Sequence, residues 1–314
     1  MKEIGGFFEL ELREGMGYHP NAVALNSARN CLKYILQAQK PAKVYVPAYS
    51  CDSLIEPLQT ENIDYELYHI DDDFELIERP SLEENEKIIY INYFALKSKY
   101  CEKLANDYGN KLICDNTQAF FQKPLEGIDT FYSPRKFFGV TDGGYLYTTK
   151  YLDSEFEQDE SSVRMEHMLG RFERTASEFY VEYQKSEKGL INQPIKVMSK
   201  LTEGILKSID YNSVALIRKR NFWMLHSRLK GQNILKNFNV GNFVPMVYPF
   251  KVKSNRLRDA LLQRKIYVAK YWVEAMQRCD SELSFIENLM PLPVDQRYDD
   301  VDMERIIDVV EIHE

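Results

Sequence analysis

The feature that most constrains the fold of this chain is a regular alternation of strand and helix patterns between residues 28 and 115. Short apolar runs such as KVYVP (43–47) and KIIYINY (87–93) predict buried strands. Between them lie amphipathic stretches, the first of which follows Ser27 as an N-cap, and these predict helices. Such alternation is typical of a parallel sheet with helices on both faces. The sequence therefore predicts an α/β fold with a mainly parallel sheet flanked by helices.

The pattern changes after about residue 151, where long charged helical segments replace the alternation. The strand-like NFVPMVYPFKV (242–252) then opens a smaller segment in which a strand is followed by further helical patterns. We predict two domains. Residues 1–238 form a large α/β domain that includes the helical middle segment, and residues 239–314 form a small C-terminal α+β domain.

Charge and composition exclude several classes of function. The chain has 314 residues and a formal net charge of −8, so it has no general attraction for nucleic acid or for an anionic membrane surface. No apolar run is long enough for a membrane span or a signal peptide, and the cytoplasm is the expected location. The five cysteines and five histidines lack the spacing of a metal site, so no metal is expected.

Three segments fall at the carboxyl ends of the predicted strands. They are Pro47-Ala48-Tyr49, Asn92-Tyr93 and Asp115-Asn116-Thr117-Gln118. In open α/β sheets the ligand site lies at the carboxyl ends of the strands. The sequence therefore predicts that these three segments converge on one site.

A single lysine occupies an unusual position in the segment FYSPRKFFGVTDGGYLYT (131–148). Lys136 lies between a Ser-Pro-Arg turn and the pair Gly143-Gly144. A solvated surface lysine needs no such setting, whereas a lysine that bonds covalently to a carbonyl must be held on a fixed turn with its charge suppressed. The turn and the two glycines alone leave both interpretations open.

Taken together, these segments resemble a known family. The order of a helix-opening Ser27, Asp115-x-x-Gln118 and Ser133-x-x-Lys136 is similar to that of the DegT/DnrJ/EryC1/StrS sugar aminotransferases. The resemblance covers nearly the whole chain, including VPAYSCDSL, CDNTQAFF and the C-terminal LPVDQRYDDVDMERI. It implies fold type I of the transferases that depend on pyridoxal 5′-phosphate (PLP). It also implies a homodimer in which groups of the partner subunit close each pocket.

The resemblance implies a role for three residues around the cofactor ring. Lys136 is the covalent anchor of PLP and afterwards carries the proton between substrate and cofactor. Asp115 pairs with the ring nitrogen and keeps it protonated, and Gln118 approaches the ring oxygen. Without the resemblance, Asp115 reads as a turn residue at a strand end and Gln118 as a polar residue at a helix start.

For the phosphate of PLP, the resemblance points to the start of the first helix. Ser27, Ala28 and Arg29 lie there, where free N–H groups and the helix dipole favour an anion. The family commonly has Gly-Thr where this chain has Ala28-Arg29, so a guanidinium replaces a hydroxyl. Ser133 is a further hydroxyl candidate, with Thr130 as the alternative. An ordinary capped helix is the competing interpretation.

Two further family features have less certain counterparts. The aromatic side chain that stacks on the cofactor corresponds best to Tyr49, with Cys51 at the same strand end and plain core packing as the alternative. The asparagine that the family donates to the neighbouring subunit's phosphate site has no clear counterpart. Asn192, Asn212 and Arg220 are candidates.

The resemblance implies a PLP-dependent aminotransferase that moves an amino group from glutamate to the keto group of a nucleotide-linked deoxy-sugar, in polysaccharide or glycoconjugate biosynthesis. Candidate charge partners for these substrates are Arg29, Lys97, Arg135 and Arg220. The alternatives are another PLP reaction on a non-sugar substrate and a non-catalytic member with a regulatory or assembly role. Lys136 argues against the non-catalytic member, and also against the family's sugar dehydratases, which have histidine there.

Overall fold

The computed structural model describes residues 4–238, 243–253 and 256–313, and its centre is one large sheet. The strands of this sheet are β1 (Val23–Leu25), β2 (Lys43–Pro47), β3 (Asp64–Tyr68), β4 (Glu86–Ile91), β5 (Leu112–Asp115), β6 (Asp129–Tyr132) and β7 (Gly144–Tyr147). Their spatial order is β1-β7-β6-β5-β4-β2-β3. The five strands β2 to β6 run parallel, and β7 is antiparallel to both of its neighbours. The predicted α/β fold with a mainly parallel sheet is confirmed.

Helices connect the strands and make up much of the second half of the chain. Their bounds are α1 (Ala28–Gln39), α2 (Asp52–Thr60), α3 (Ser98–Tyr108), α4 (Glu166–Glu173), α5 (Tyr180–Lys188), α6 (Lys200–Lys207), α7 (Tyr211–Leu229), α8 (Arg256–Gln263), α9 (Leu283–Asn288) and α10 (Asp300–His313).

Helix α1 shows how the local sequence determines an element next to the site. The Ser27 hydroxyl accepts a hydrogen bond from the Asn30 backbone N–H, which caps the first turn. The helix ends at Gln39 and is followed by the cap residue Lys40, which adopts a left-handed conformation with φ of 48°. Its buried face carries the apolar side chains that predicted it: Cys31, Leu32, Ile35 and Leu36. The predicted helix start is therefore found at Ala28.

The C-terminal part contains a small second sheet, in which β8 (Val247–Lys251) is antiparallel to β9 (Leu289–Pro293). Helix α10 lies against both α7 and α8. Because α7 belongs to the segment that we predict in the large domain, the two predicted domains share a helical contact. The predicted boundary itself, at residues 238 and 239, adjoins positions outside the described residues and stays a prediction.

The core is continuous and apolar, and most of the cysteines lie in it. All five cysteines are free; four are buried and Cys51 is half-buried. Among the helices that the structure describes, none is both long and apolar enough to cross a membrane.

Candidate active site

A cavity of about 190 Å³ lies at the carboxyl edge of the sheet, where β4, β5 and β6 end. It is lined by seven of the eight predicted site residues, namely Ser27, Ala28, Arg29, Asp115, Gln118, Ser133 and Lys136. Of the three segments that the sequence predicts to converge, only Asp115–Gln118 lines the cavity itself. The other two strand ends contribute the neighbouring residues Cys51 and Ile91, and the start of α1 forms an additional wall. We call the side chains of Ser27, Asp115, Gln118, Ser133 and Lys136 the cavity floor.

Lys136 lies on a tight turn directly after β6. Residues Pro134–Lys136 form one turn of 3₁₀ helix, and the Pro134 carbonyl accepts hydrogen bonds from the Phe137 and Phe138 N–H groups, both at 2.9 Å. Proline favours this position because its φ is already fixed near the helical value. The turn therefore presents Lys136 from a constrained backbone.

The two glycines after the turn each have a steric reason. Gly143 has φ of +115°, which side-chain-bearing residues rarely adopt. A Cβ on Gly144 would lie 2.5 Å from the backbone carbonyl of Ser27, which is closer than any real contact. Strand β7 therefore passes directly against the start of α1. The Gly-Gly pair joins the lysine turn to the helix N-terminus.

The Lys136 ammonium is placed next to Asp115 through Thr117. Lys136 Nζ donates a hydrogen bond to Thr117 Oγ1 at 2.9 Å, and the Thr117 N–H donates to Asp115 Oδ1 at 2.8 Å. The Lys136 side chain has a large solvent-accessible area, although protein atoms surround its amino group and the residue lines the cavity. Its accessible surface therefore opens into the cavity, so a ligand there can reach its amine.

The surroundings shift both ionisable groups towards their neutral forms. Poor hydration lowers the pKa of Lys136, and the Asp115 carboxylate partly opposes this change. Burial raises the pKa of Asp115, while Lys136 and the hydrogen bond from Thr117 oppose that rise. Each group is thus the main counter-charge of the other. A lysine whose charge is suppressed in this way can act as a nucleophile.

The remaining floor residues differ in how far the protein already uses their polar atoms. Gln118 Oε1 accepts a hydrogen bond from the Phe94 N–H at 2.8 Å, which fixes its amide. The Ser27 hydroxyl accepts the capping hydrogen bond of α1. The Ser133 hydroxyl, in contrast, has no hydrogen-bond partner within the described residues. A free hydroxyl that lines the same cavity as a helix N-terminus suits a phosphate group.

Comparison with known proteins shows what this architecture is. No protein-family model and no curated protein matches the chain by sequence. By structure, it matches Spr1654 of Streptococcus pneumoniae, a proposed sugar aminotransferase, in its apo form with 17% identity, a TM-score of 0.66 and coverage of 93% of this chain and 85% of that one. It also matches a DegT DnrJ EryC1 StrS aminotransferase of Brucella abortus, with 16% identity, a TM-score of 0.63 and coverage of 92% and 85%. The sugar aminotransferase CalS13 of Micromonospora echinospora matches with 12% identity, a TM-score of 0.64 and coverage of 94% and 88%.

This chain has the fold of the DegT/DnrJ/EryC1/StrS aminotransferases. Fold type I, which the sequence resemblance implies, is therefore confirmed, and the match extends over more than nine-tenths of the chain. Identities of 12–17% leave the individual site residues to be judged from the geometry of this chain.

Within this aminotransferase fold, Tyr49 is not brought to the cavity as the sequence predicts. Its side chain is fully buried, and its ring packs against the rings of Tyr93, Trp272 and Phe285. The apolar ring is thus taken up by an aromatic cluster behind the cavity wall. Core packing, which was the alternative interpretation of Tyr49, is therefore what the structure shows. At this strand end Cys51 lines the cavity, and Trp272 is the aromatic side chain in the wall.

The candidate charged residues also separate into two groups. Arg29 and Arg135 line the cavity. Lys97 pairs with Glu75 at 2.7 Å and Arg220 pairs with Asp300 at 3.0 Å, and neither lines the cavity. Asn192 and Asn212, the candidates for a contribution to a neighbouring subunit, are exposed in the chain.

The cavity lining also includes residues for which the sequence predicts no site role, among them Glu187, Leu190 and Trp272. These three reach the cavity from distant parts of the chain and carry no local signal. Thr117 belongs to the predicted segment Asp115–Gln118, but the sequence assigns it no role of its own. Of the residues that the structure describes, no cluster of three or more His, Cys, Asp or Glu is arranged to hold a metal ion.

Proposed function

We propose that this protein is a PLP-dependent aminotransferase that acts on a keto sugar, with Lys136 as the residue that binds the cofactor covalently. The observation that carries the proposal is the linked arrangement of Lys136, Thr117 and Asp115 at the floor of one cavity. The fold supports it, because Spr1654, which shares this fold, has been solved in its PLP form and in its PMP form, where PMP is pyridoxamine 5′-phosphate, the aminated form of PLP.

The residues present fit the parts of PLP. The start of α1 and the free Ser133 hydroxyl suit the phosphate, and the buried Asp115 suits a protonated ring nitrogen. Cys51 and Trp272 provide less polar walls for the ring. Bound PLP would supply an electron sink for the carbanion that forms at the substrate's amino-bearing carbon.

The charges of the cavity floor explain how Lys136 can both bond to the cofactor and transfer a proton. While the site is free of ligand, Lys136 is the nearest counter-charge of Asp115. Asp115 would hold the cationic ring nitrogen of bound PLP and would then no longer need Lys136 as its counter-charge, so Lys136 could be a neutral amine. As a neutral amine it can bond to a carbonyl and later hold and release a proton at Nζ. Thr117 Oγ1, which accepts a hydrogen bond from Nζ, orients the amine.

The proposal includes glutamate as amino donor, a nucleotide-linked deoxy-sugar as acceptor, and a role in polysaccharide or glycoconjugate biosynthesis. It also includes a homodimer with the site at the subunit interface. Support for the dimer comes from large apolar side chains on α4 and α5, beside the cavity. The most exposed are Leu169, Phe172, Tyr180 and Val181.

The cofactor assignment is tested by borohydride reduction of protein reconstituted with PLP. We expect the cofactor to be fixed to Lys136, as peptide mapping would show, and the Lys136→Ala variant to remain unlabelled. Lys207→Ala is the matched control, since Lys207 is an exposed lysine paired with Glu203 at 2.6 Å. Labelling of another lysine, or no binding of PLP, would overturn the assignment.

The reaction is tested by its two halves. Glutamate should convert bound PLP to its aminated form, and a panel of keto-sugar nucleotides should then restore the original absorbance. If PLP is bound to Lys136 but no amino acid aminates it, the transaminase proposal fails and other PLP reactions take its place.

A further inference from the structure

The cavity is closed on one side by a short segment that we call the cavity cover, residues 187–192, which comprises the last turn of α5 and the loop after it. Two arginines of the cavity wall hold it. Arg135 forms an ion pair with Glu187, and Arg29 Nη1 donates to the Leu190 carbonyl at 2.6 Å. The Asn192 N–H also donates to Glu56 Oε1 at 2.7 Å. Side-chain contacts with charged groups, rather than a shared core, thus attach the cover.

Arg135 is the more informative of the two arginines because it precedes Lys136 directly. Its side chain is 21% exposed, lines the cavity, and contacts Glu187 through Nη2. Its Nε is buried and has no hydrogen-bond partner within the described residues. Buried donors in native proteins are nearly always satisfied. The Arg135 guanidinium, which lines the cavity, therefore keeps a donor that an anionic ligand group could use.

The chemistry of that group follows from the guanidinium. Arginine binds carboxylates and phosphates through two parallel N–H donors, and this arrangement is stronger than a single contact. Glu187 uses only one of these donors of Arg135. A second acceptor oxygen on Arg135 would thus come from an anion that approaches from the cavity side.

The cavity is small for a site that holds a ligand. Its volume of about 190 Å³ is below the range of about 300–1,000 Å³ that is typical of ligand pockets. Glu187 and Leu190 both line it, and the Glu187 side chain is 39% exposed, so it can turn towards solvent. Withdrawal of Glu187 would enlarge the cavity and free Arg135 in the same movement.

We propose that Arg135 binds the anionic group of the substrate, and that Glu187 is an internal counterion which the carboxylate or phosphate of the substrate replaces. Replacing one anion by another keeps the Arg135 charge neutralised, so that no unpaired charge is left in the cavity wall. The inference rests on the proposed function for the identity of the cavity as the active site. It adds a charge requirement for the substrate and a residue that recognises it.

The test measures binding rather than turnover. Titration calorimetry on the PLP-saturated protein would use glutarate, inorganic phosphate and the uncharged glutaramide as probes. We expect at least one of the two anions to bind and glutaramide not to bind. Preference for glutarate identifies the carboxylate of an amino donor as the natural group, whereas preference for phosphate identifies a phosphate-bearing substrate.

Variants of Arg135 and Glu187 should change the affinity for the anion by defined factors. Arg135→Gln should weaken binding of the anion by about 10- to 100-fold, because a charge-assisted hydrogen bond is lost. Glu187→Gln should tighten binding by about 2- to 5-fold, because the competing partly exposed ion pair is removed. Arg135→Lys, which keeps the charge but not the paired donors, should lie between wild type and Arg135→Gln.

Arg228→Gln and Glu311→Gln are the matched controls, because these residues form an exposed pair at 3.0 Å that does not line the cavity. Unchanged anion affinity in Arg135→Gln, or weaker binding in Glu187→Gln, would overturn the inference. If Arg135→Gln does not fold, Arg135→Lys and Glu187→Gln still decide it. If the borohydride test fails, the same titrations without PLP separate the two proposals. Anion binding that still depends on Arg135 would then refute the proposed function but support the exchange of Glu187 for an anion at Arg135.

Discussion

The cavity floor and the cavity cover face the same space but are built in different ways. The four floor side chains other than Lys136 are at most 6% exposed, and they follow strand ends or a helix start that backbone hydrogen bonds determine. In the cover, only Leu190 is buried, and one ion pair and two hydrogen bonds to side chains outside it hold the segment. The difference indicates a division of labour. Chemistry requires groups held in advance in one geometry, while substrate recognition tolerates a segment that exchanges its contacts.

If the floor carries the chemistry, removal of its buried charge should have the largest effect. Asp115→Asn is expected to lower transaminase activity by about 10²- to 10³-fold, the range for loss of one electrostatic partner of a transition state. The cover variant Glu187→Gln, which leaves all floor residues unchanged, should retain activity within about tenfold. Steady-state rates of both variants measure the contrast, and similar losses would remove the distinction between floor and cover.

The Asp115→Asn variant should also shift the pH dependence of PLP trapping in a defined direction. The Asp115 carboxylate is the main group that raises the pKa of Lys136 against the effect of poor hydration. Without it, the pKa of Lys136 should fall further, and the neutral amine should persist to lower pH. The pH profile of borohydride trapping of PLP on Lys136 should therefore move to lower pH. Asp107→Asn, an exposed carboxylate paired with Arg79, is the control and should leave the profile in place.

The second prediction concerns the close contact between the lysine turn and α1. In Gly144→Ala the new Cβ would lie 2.5 Å from the Ser27 carbonyl and 2.6 Å from the Ala28 nitrogen, and backbone atoms cannot turn aside. We expect the free energy of unfolding to fall by about 1–3 kcal/mol, as for other overpacked sites. Urea denaturation would measure the change in midpoint.

Gly139→Ala provides the matched comparison within the same loop, because the nearest atom to its new Cβ is Met168 Sδ at 4.0 Å. Its free energy of unfolding should change by no more than about 0.5 kcal/mol. Equal midpoints for the two variants would show that the floor is looser than the contact distances indicate.

The contrast between the two regions also explains what the sequence could predict. Floor residues lie within a few positions of a strand end or a helix cap, so local patterns place them, and Lys136, Asp115 and Gln118 line the cavity as predicted. Tyr49 lies equally close to a strand end, but its ring packs against Trp272 and Phe285 instead of lining the cavity. These two residues are more than 200 positions later in the sequence. Local sequence patterns do not show which distant side chains will pack against an aromatic ring.

The cover was beyond prediction for a related reason. Glu187 reaches Arg135 across 52 positions, and α5 carries mostly exposed side chains with little apolar pattern to orient it. The fold as a whole was more accessible, because the alternation of strands and helices depends on many residues at once. A single ion pair depends on only two residues, so no extended sequence pattern predicts it.

The smallest expected effect tests whether the cover is held locally. Glu56 binds both Arg29, at 2.9 Å, and the Asn192 N–H, so Glu56→Gln loses an ion pair at the edge of the cover. We expect the free energy of unfolding to fall by less than about 1 kcal/mol. Hydrogen exchange should nevertheless become faster at the Asn192 amide. The Gly143 amide, which donates to the Asn26 carbonyl at 2.8 Å beside the floor, should exchange at its original rate. Glu203→Gln, which breaks an exposed pair on α6, is the control and should change neither amide. Faster exchange at both amides would mean that floor and cover open as one unit, and the Glu187 counterion could then not be exchanged without disturbing Lys136.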